Sequence, residues 1–275
     1  MAGQPGSPGL RHWSMDIRAG LVYYIHDRLR PENHIGELLM SGIKTDSKTE
    51  TLDKNFLPRS ASFNFKCTQC GQCCRNVAPA DKVLISTVDL FRIAVLQGIE
   101  MTEVIEKYCD MVPGGESMLP LLVMRERLDG SCIFLKKGKC TVHEAKPLAC
   151  ALHPLGRIDI YDDETDSQDF HYYLKETSCP AERDQSVTVQ EWLDAGDVER
   201  YDSCVRLYKR MASVCSKIMH ALKTDDERRE MFSTAFFMMY AKYDIKGDLR
   251  GQLAQNLAFI QSINPKIAFD KSKLV

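Results

Sequence analysis

Four cysteines fall within eight residues, Cys67-Thr-Gln-Cys70-Gly-Gln-Cys73-Cys74, and no other stretch restricts the fold of this chain as severely. A C-x-x-C turn aims two thiols at one point because the residues between them reverse the backbone, and Gly71 relieves the strain of a second reversal. Cys73 and Cys74 are neighbours. In extended backbone their side chains leave on opposite faces, so they are expected to serve two metal centres or different atoms of one cluster. Their partners lie downstream. Cys132 and Cys140 bracket a short apolar strand and a Lys-Lys-Gly-Lys turn, Cys150 follows Lys146-Pro147, and Cys179 precedes Pro180. Cys67, Cys70, Cys73, Cys74, Cys132, Cys140, Cys150 and Cys179 are the candidate metal ligands. They suffice for two four-coordinate sites, or for one cluster with ligands in reserve.

The order of these motifs resembles the CxxCxxCC family of zinc- or iron-chelating domains, often called YkgJ-like. It runs C-x2-C-x2-C-C, then Cys132-Ile-Phe-Leu through Gly138 to Cys140-Thr-Val, then Pro147 and Cys150, then Cys179. The likeness extends from about Phe65 to Cys179 and includes Ile85-Ser-Thr-Val-Asp89-Leu-Phe-Arg92, which such proteins carry between the two cysteine groups. It implies a metal-chelating domain. One branch of the family, the flagellin lysine N-methylases, also raises an enzyme as a competing expectation. The chain departs from the pattern at Lys146-Pro147 for Arg-Pro, at Cys150-Ala151 for Cys-Arg, and at His153 for an aromatic residue. Two absent guanidiniums weaken any inference about a bound anion and leave the metal inference intact.

Composition decides between a disulfide scaffold and a metal site. Eleven cysteines would suit a disulfide framework in a short secreted chain, but this one has 275 residues, and Met1-Ala-Gly-Gln-Pro-Gly-Ser-Pro-Gly lacks the charged start and apolar segment of a secretory signal. Clustered thiols then point to metal in a reducing cytoplasm. The net charge of −2 gives no reason to expect nucleic acid or an anionic membrane as partner. No apolar run approaches the ~20 residues needed to span a bilayer. Cys109, Cys204 and Cys215 lie on helical apolar stripes or their ends, and are expected to be core thiols. His143 and His153 are expected to pack near sulfur rather than bind metal. Lys136, Lys137, Lys139 and Lys146 are expected to offset thiolate charge.

The apolar pattern predicts an α+β fold. Residues 1–12 read as a disordered tail and 13–62 as an N-terminal extension with a helix from Met15 to Leu29. Residues 63–186 read as the cysteine-cluster domain and 187–275 as an antiparallel helical region. Within the cluster domain, Phe63-Asn-Phe-Lys and Val83-Leu-Ile-Ser read as strands. Ser86 or Thr87 is expected to cap one helix and Thr102 the next, Leu121 to Leu128 to form a strand arriving at Cys132, and Gly156–Tyr161 with Phe170–Leu174 to form a hairpin around the acidic loop of 162–166. Beyond it, Val198, Tyr201, Val205, Tyr208, Ala212, Cys215, Met219 and Leu222 read as one unbroken helical stripe, Asp225-Asp-Glu as the start of a second helix, and Gly247-Asp248 as the start of a third.

Three functions compete. An iron–sulfur protein, [4Fe-4S] for example, with a redox or metal-handling role leads, because Cys67, Cys70, Cys73 and Cys179-Pro180 have the spacing of bacterial-type ferredoxins. A zinc domain that meets a protein partner is the alternative, as is the methylase. Against an enzyme, no G-x-G-x-x-G loop follows a strand. Metal binding and folding are expected to be coupled, so Cys70→Ser lowers metal content and destabilises the domain while Cys204→Ser does neither; metal analysis of both variants checks this.

Overall fold

The computed structural model describes residues 56–75, 82–162, 167–175, 177, 179–180 and 182–263. The expected tail of 1–12, the helix from Met15 to Leu29 and most of the acidic loop after Asp162 lie outside the described residues. What is described is α+β, as the pattern predicts: small antiparallel sheets beside packed helices.

The strands are short, and local chemistry accounts for most of them. In β1 (Ser62–Lys66) Phe63 and Phe65 alternate inward. β2 (Leu84–Ile85), β3 (Cys109–Pro113) and β4 (Pro120–Met124) form one antiparallel sheet in the order β2-β4-β3. β4 stops at Met124, short of the expected Leu128, and the chain regains pairing only at the isolated bridge between Glu126 and Cys132. β5 (Leu135–Lys136) and β6 (Lys139–Cys140) close through Lys137 at φ 49° and Gly138 at φ 77°, the two positive φ values a two-residue hairpin turn demands. β7 (Leu155–Asp162) and β8 (Ser167–Leu174) make the expected hairpin. β9 (Glu182–Thr188) has no counterpart in the sequence reading. Glu-Arg-Asp-Gln-Ser-Val-Thr lacks alternation, and its strand form comes from pairing with β1, where Val187 lies opposite Phe63.

The helices begin where side chains can satisfy free backbone amides. α1 (Thr87–Gln97) starts at Ser86 in a reciprocal capping box with Asp89. α2 (Met101–Tyr108) starts one residue before Thr102, and its N-cap Glu100 makes no side-chain cap, so the expected Thr102 cap is absent. α3 (Leu148–Leu152) is a single turn and a half. Thr188 and Glu191 box the start of α4 (Val189–Ala195). The stripe expected from Val198 follows a turn at Gly196-Asp197, with Asp197 at φ 50°, opens as a 3-10 turn over Glu199–Tyr201 and runs on as α5 (Asp202–Ala221). Thr224 and Glu227 box α6 (Asp225–Phe236), which runs into a π-helical turn at Phe237–Ala241. α7 (Leu249–Ile263) packs along α5.

Two cores result. The larger one joins Ile85, Leu90 and Ile93 to Met211, Cys215, Met239, Leu253 and Ile260, so α5, α6 and α7 share one interior with α1. Polar bonds pin this seam. Thr87 Oγ1 donates to the Met239 carbonyl, and Tyr240 Oη bonds the Pro120 carbonyl at 3.2 Å and Tyr208 Oη at 2.9 Å. The carbonyl of Met238, before the disrupted turn ends, accepts from Tyr243 Oη and Asn256 Nδ2 at 2.8 and 3.1 Å. The smaller core holds Phe63, Phe65, Leu152, Leu155, Tyr172 and Leu193. No helix of the described residues is long and apolar enough to cross a membrane.

Phe65 is 2% exposed and stands edge-on to Trp192 with ring centroids 5.4 Å apart. Phe65→Ala is expected to cost about 3–5 kcal/mol, the range for emptying an aromatic core position. Urea denaturation checks this, and a loss below about 1 kcal/mol would contradict the packing described.

Candidate metal centre

The cysteine run reaches its site through one glycine. Gly71 has φ 73°, and a Cβ there would lie 2.7 Å from the Gly138 carbonyl oxygen, so the run presses against the β5–β6 turn as only glycine allows. After Gly71 the backbone winds into a 3-10 turn over Gln72–Cys74, with the Cys74 amide donating to the Gly71 carbonyl at 3.0 Å. This corrects the extended geometry expected for Cys73 and Cys74. Successive side chains on a three-residue turn diverge by about 120° rather than 180°, and here their Sγ atoms meet at 3.9 Å. The Cys132 amide donates to the Cys74 carbonyl at 2.8 Å, which joins the first run to the second group of cysteines.

Cys150 is placed by α1. Asp89, 4% exposed, accepts from Ser86 N at 2.9 Å and Ser86 Oγ at 2.7 Å through one carboxylate oxygen, and from the Leu148 amide at 2.7 Å through the other. One carboxylate thus caps both α1 and the short α3 that carries Cys150. Three residues along, Arg92 donates to the Lys146 carbonyl at 3.0 Å. Together these two side chains hold the two successive peptide units of the Lys146-Pro147-Leu148 bend. Burial raises the Asp89 carboxyl above its ordinary range, while its bonds from Ser86 and Leu148 hold it down.

The result is a cavity of about 30 Å³ lined by Cys73, Cys74, Cys132 and Cys150, with Val83, Met124 and Glu126 completing its wall. Cys140 stands beside it, opposite Leu135 in β6 and close enough to feel the charges of Cys132 and Cys73. Cys67, Cys70 and Cys179 do not line it. Cys67 is exposed, Cys70 half-buried, and Cys179 packs against the smaller core. No three His, Cys, Asp or Glu side chains of the described residues form a group that could hold a metal ion as they stand. The chemistry of the cavity nonetheless suits one. The bond with Cys74 lowers the Cys73 thiol to about 6, with help from Lys146, and the same partner lowers Cys132 to about 7. Cys74 is raised by those two neighbours, and Cys150 is raised by burial and then by the charges of Cys132 and Cys73. Four sulfurs this close cannot all ionise without a cation, and a divalent ion replaces their protons.

The remaining candidates are bystanders to the cavity. His153 packs edge-on to Phe65 at 5.8 Å, and burial lowers His143. Of the four lysines, Lys146 acts on Cys73 and Cys140. Burial pushes the core thiols Cys109 and Cys215 up to about 12. The sequence reading quoted Asp89 and Arg92 without giving them a role, and it passed over Glu126. Asp129-Gly130 read as a two-residue hairpin turn would set Arg127 opposite Cys132; the loop is instead three residues, Leu128-Asp129-Gly130, and that one-residue shift brings Glu126 there.

Comparison with known proteins agrees with the chemistry. The model of the CxxCxxCC family, described as "Putative zinc- or iron-chelating domain", matches residues 66–192, the region over which the sequence resembles that family. An uncharacterized protein of Methanocaldococcus jannaschii is 32% identical over 92 residues, which are 33% of this chain and 44% of that protein. The chain therefore spans under half the length of this relative. No solved structure matches. The family description supports metal binding by the cysteine cluster.

Asp89→Ala leaves the Leu148 amide without its acceptor and α1 without half its capping box. A loss of about 2–4 kcal/mol is expected from the two effects together, read by urea denaturation. Cys150 should then react faster with a thiol reagent; an unchanged rate would show that Asp89 does not place it.

Proposed function

We propose that the CxxCxxCC region is a metal-handling module whose centre is one zinc or ferrous ion held by Cys73, Cys74, Cys132 and Cys150. The observation that carries this reading is the 3.9 Å between the sulfurs of Cys73 and Cys74. A tetrahedron with metal–sulfur bonds of ~2.3 Å has an edge of ~3.8 Å, so the two neighbours are spaced to share one ion. Structural zinc sites are closed, whereas Cys73 is exposed, which gives an ion a way in and out. No disulfide joins cysteines among the described residues, as in a reducing cytoplasm, and a protein that delivers or accepts the ion is the partner this role requires.

The iron–sulfur cluster is the second reading. The ferredoxin-like spacing of Cys67, Cys70 and Cys73 with Cys179-Pro180 favours it. The two readings part at Cys70, which the cavity does not use.

Protein purified without oxygen, analysed for metal and acid-labile sulfide, separates them. The single-ion centre gives about one zinc or iron per chain without sulfide, lost in Cys74→Ser and Cys132→Ser and, against the expectation drawn from spacing alone, kept in Cys70→Ser, because Cys70 does not line the cavity. Removing the ion should also lower the melting temperature, since thiolate sites contribute up to the order of 10 kcal/mol to folding. Brown protein with iron and sulfide, bleached by Cys70→Ser, would replace this reading with the cluster. Absence of any metal would overturn both.

A further inference from the structure

The cavity has one polar wall that is not sulfur. The bridge between Glu126 and Cys132 is flanked by the Arg127 amide donating to the Ser131 carbonyl at 2.7 Å and the Ile133 amide donating to the Arg125 carbonyl at 3.1 Å. That pattern makes Glu126 and Cys132 a non-hydrogen-bonded antiparallel pair, the kind whose side chains stand on the same face and closest together. The turn at Leu128-Asp129-Gly130 fixes the register, with Gly130 at φ 75° and its amide bonded to the Arg127 carbonyl at 2.9 Å. Backbone pairing alone therefore delivers a carboxylate beside Cys132.

Glu126 Oε1 is buried and has no hydrogen-bond partner among the described residues. Its neighbours in the wall, Val83 and Met124, offer no donor. Arg125 and Arg127, on either side in sequence, point elsewhere. Arg125 binds Asp110 and the carbonyls of Glu106, Lys107 and Cys109, and Arg127 binds those of Ile133 and Leu135. A buried carboxylate oxygen facing several thiols, with both adjacent cations committed to other acceptors, is an open acceptor that a cation in the cavity would satisfy.

We propose that Glu126 supplies an oxygen ligand to the centre as a fifth donor beside the four sulfurs, so that the bound ion has mixed sulfur–oxygen coordination. The proposal rests on the reading of the cavity as a metal site. A carboxylate donor favours zinc or ferrous iron over the soft cuprous ion that an all-sulfur pocket would also accept. It is also a weaker hold than a further thiolate, which suits an ion that is passed on.

The test uses the full chain loaded with zinc, and Glu126→Leu, which fills the same space without a donor. X-ray absorption of the wild type should require an oxygen at about 2.0–2.2 Å beside sulfur at ~2.3 Å, and the variant should lose that oxygen. Zinc affinity, from competition with a chelator, should fall at least tenfold. The metal-free variant should melt no lower than the metal-free wild type, because the substitution removes a buried charge without a partner. A sulfur-only wild-type spectrum, or unchanged affinity in the variant, would overturn the role of Glu126 while the metal site stands. A metal-free variant that melts lower would make Glu126 a packing residue and equally overturn it. A wild type that takes up no zinc, while Cys74→Ser behaves identically, would remove the centre itself.

Discussion

The carboxylate of Asp89 is the bond on which the arrangement of this protein turns. A charge this buried is tolerated only when its oxygens are occupied, and the donors that occupy them come from two places far apart in sequence, Ser86 and Leu148. The start of α1 must therefore rest against the start of α3, and Cys150 has no freedom to lie elsewhere. On its other side α1 is fastened to the π-helical turn through Thr87 and Met239. The sulfur cavity and the helical bundle are thus not separate pieces joined by a linker. One eleven-residue helix has the bundle on one side and the cysteine bend at its first turn.

The cavity inverts the ordinary logic of a core. Apolar residues gather because water rejects them; these sulfurs are gathered by backbone that is already committed. The Gly71 turn, the Cys74–Cys132 amide bond and the Asp89 cap each act on main chain, and the thiols follow. Left to themselves they share protons, Cys74 keeping one between Cys73 and Cys132, which both lose theirs more easily for it. A cation bound there would meet a site whose repulsion the fold has already met.

Features with local causes were legible in the sequence. Alternation in Phe63-Asn-Phe-Lys gave β1, a hydroxyl residue at 86–87 ahead of an apolar run marked the start of α1, and an acidic first turn marked α6. The cysteines announced their chemistry through spacing. Their geometry was less legible, because whether Cys73 and Cys74 diverge or meet depends on one turn of backbone that the residue types do not dictate. Features with distant causes escaped. β9 is a strand only because β1 lies beside it, and Glu126 matters only because a hairpin register sets it against Cys132. The 3-10 opening of the Val198 stripe escaped because Val198 and Tyr201 keep the helical spacing through it.

The pairing of β1 with β9 has a consequence in time. Chain leaves a ribosome at ~5–20 residues per second, and Cys150 follows Cys74 by seventy-six residues. For roughly 4–15 s the first four thiols are out in the cell with no cavity to enter, and the smaller core must wait longer, until Val187 arrives to lie against Phe63. During that interval the cysteine run is a short flexible chelator, able to take whatever ion or oxidant reaches it first. The finished fold selects by shape; the nascent one can select only by what its compartment supplies.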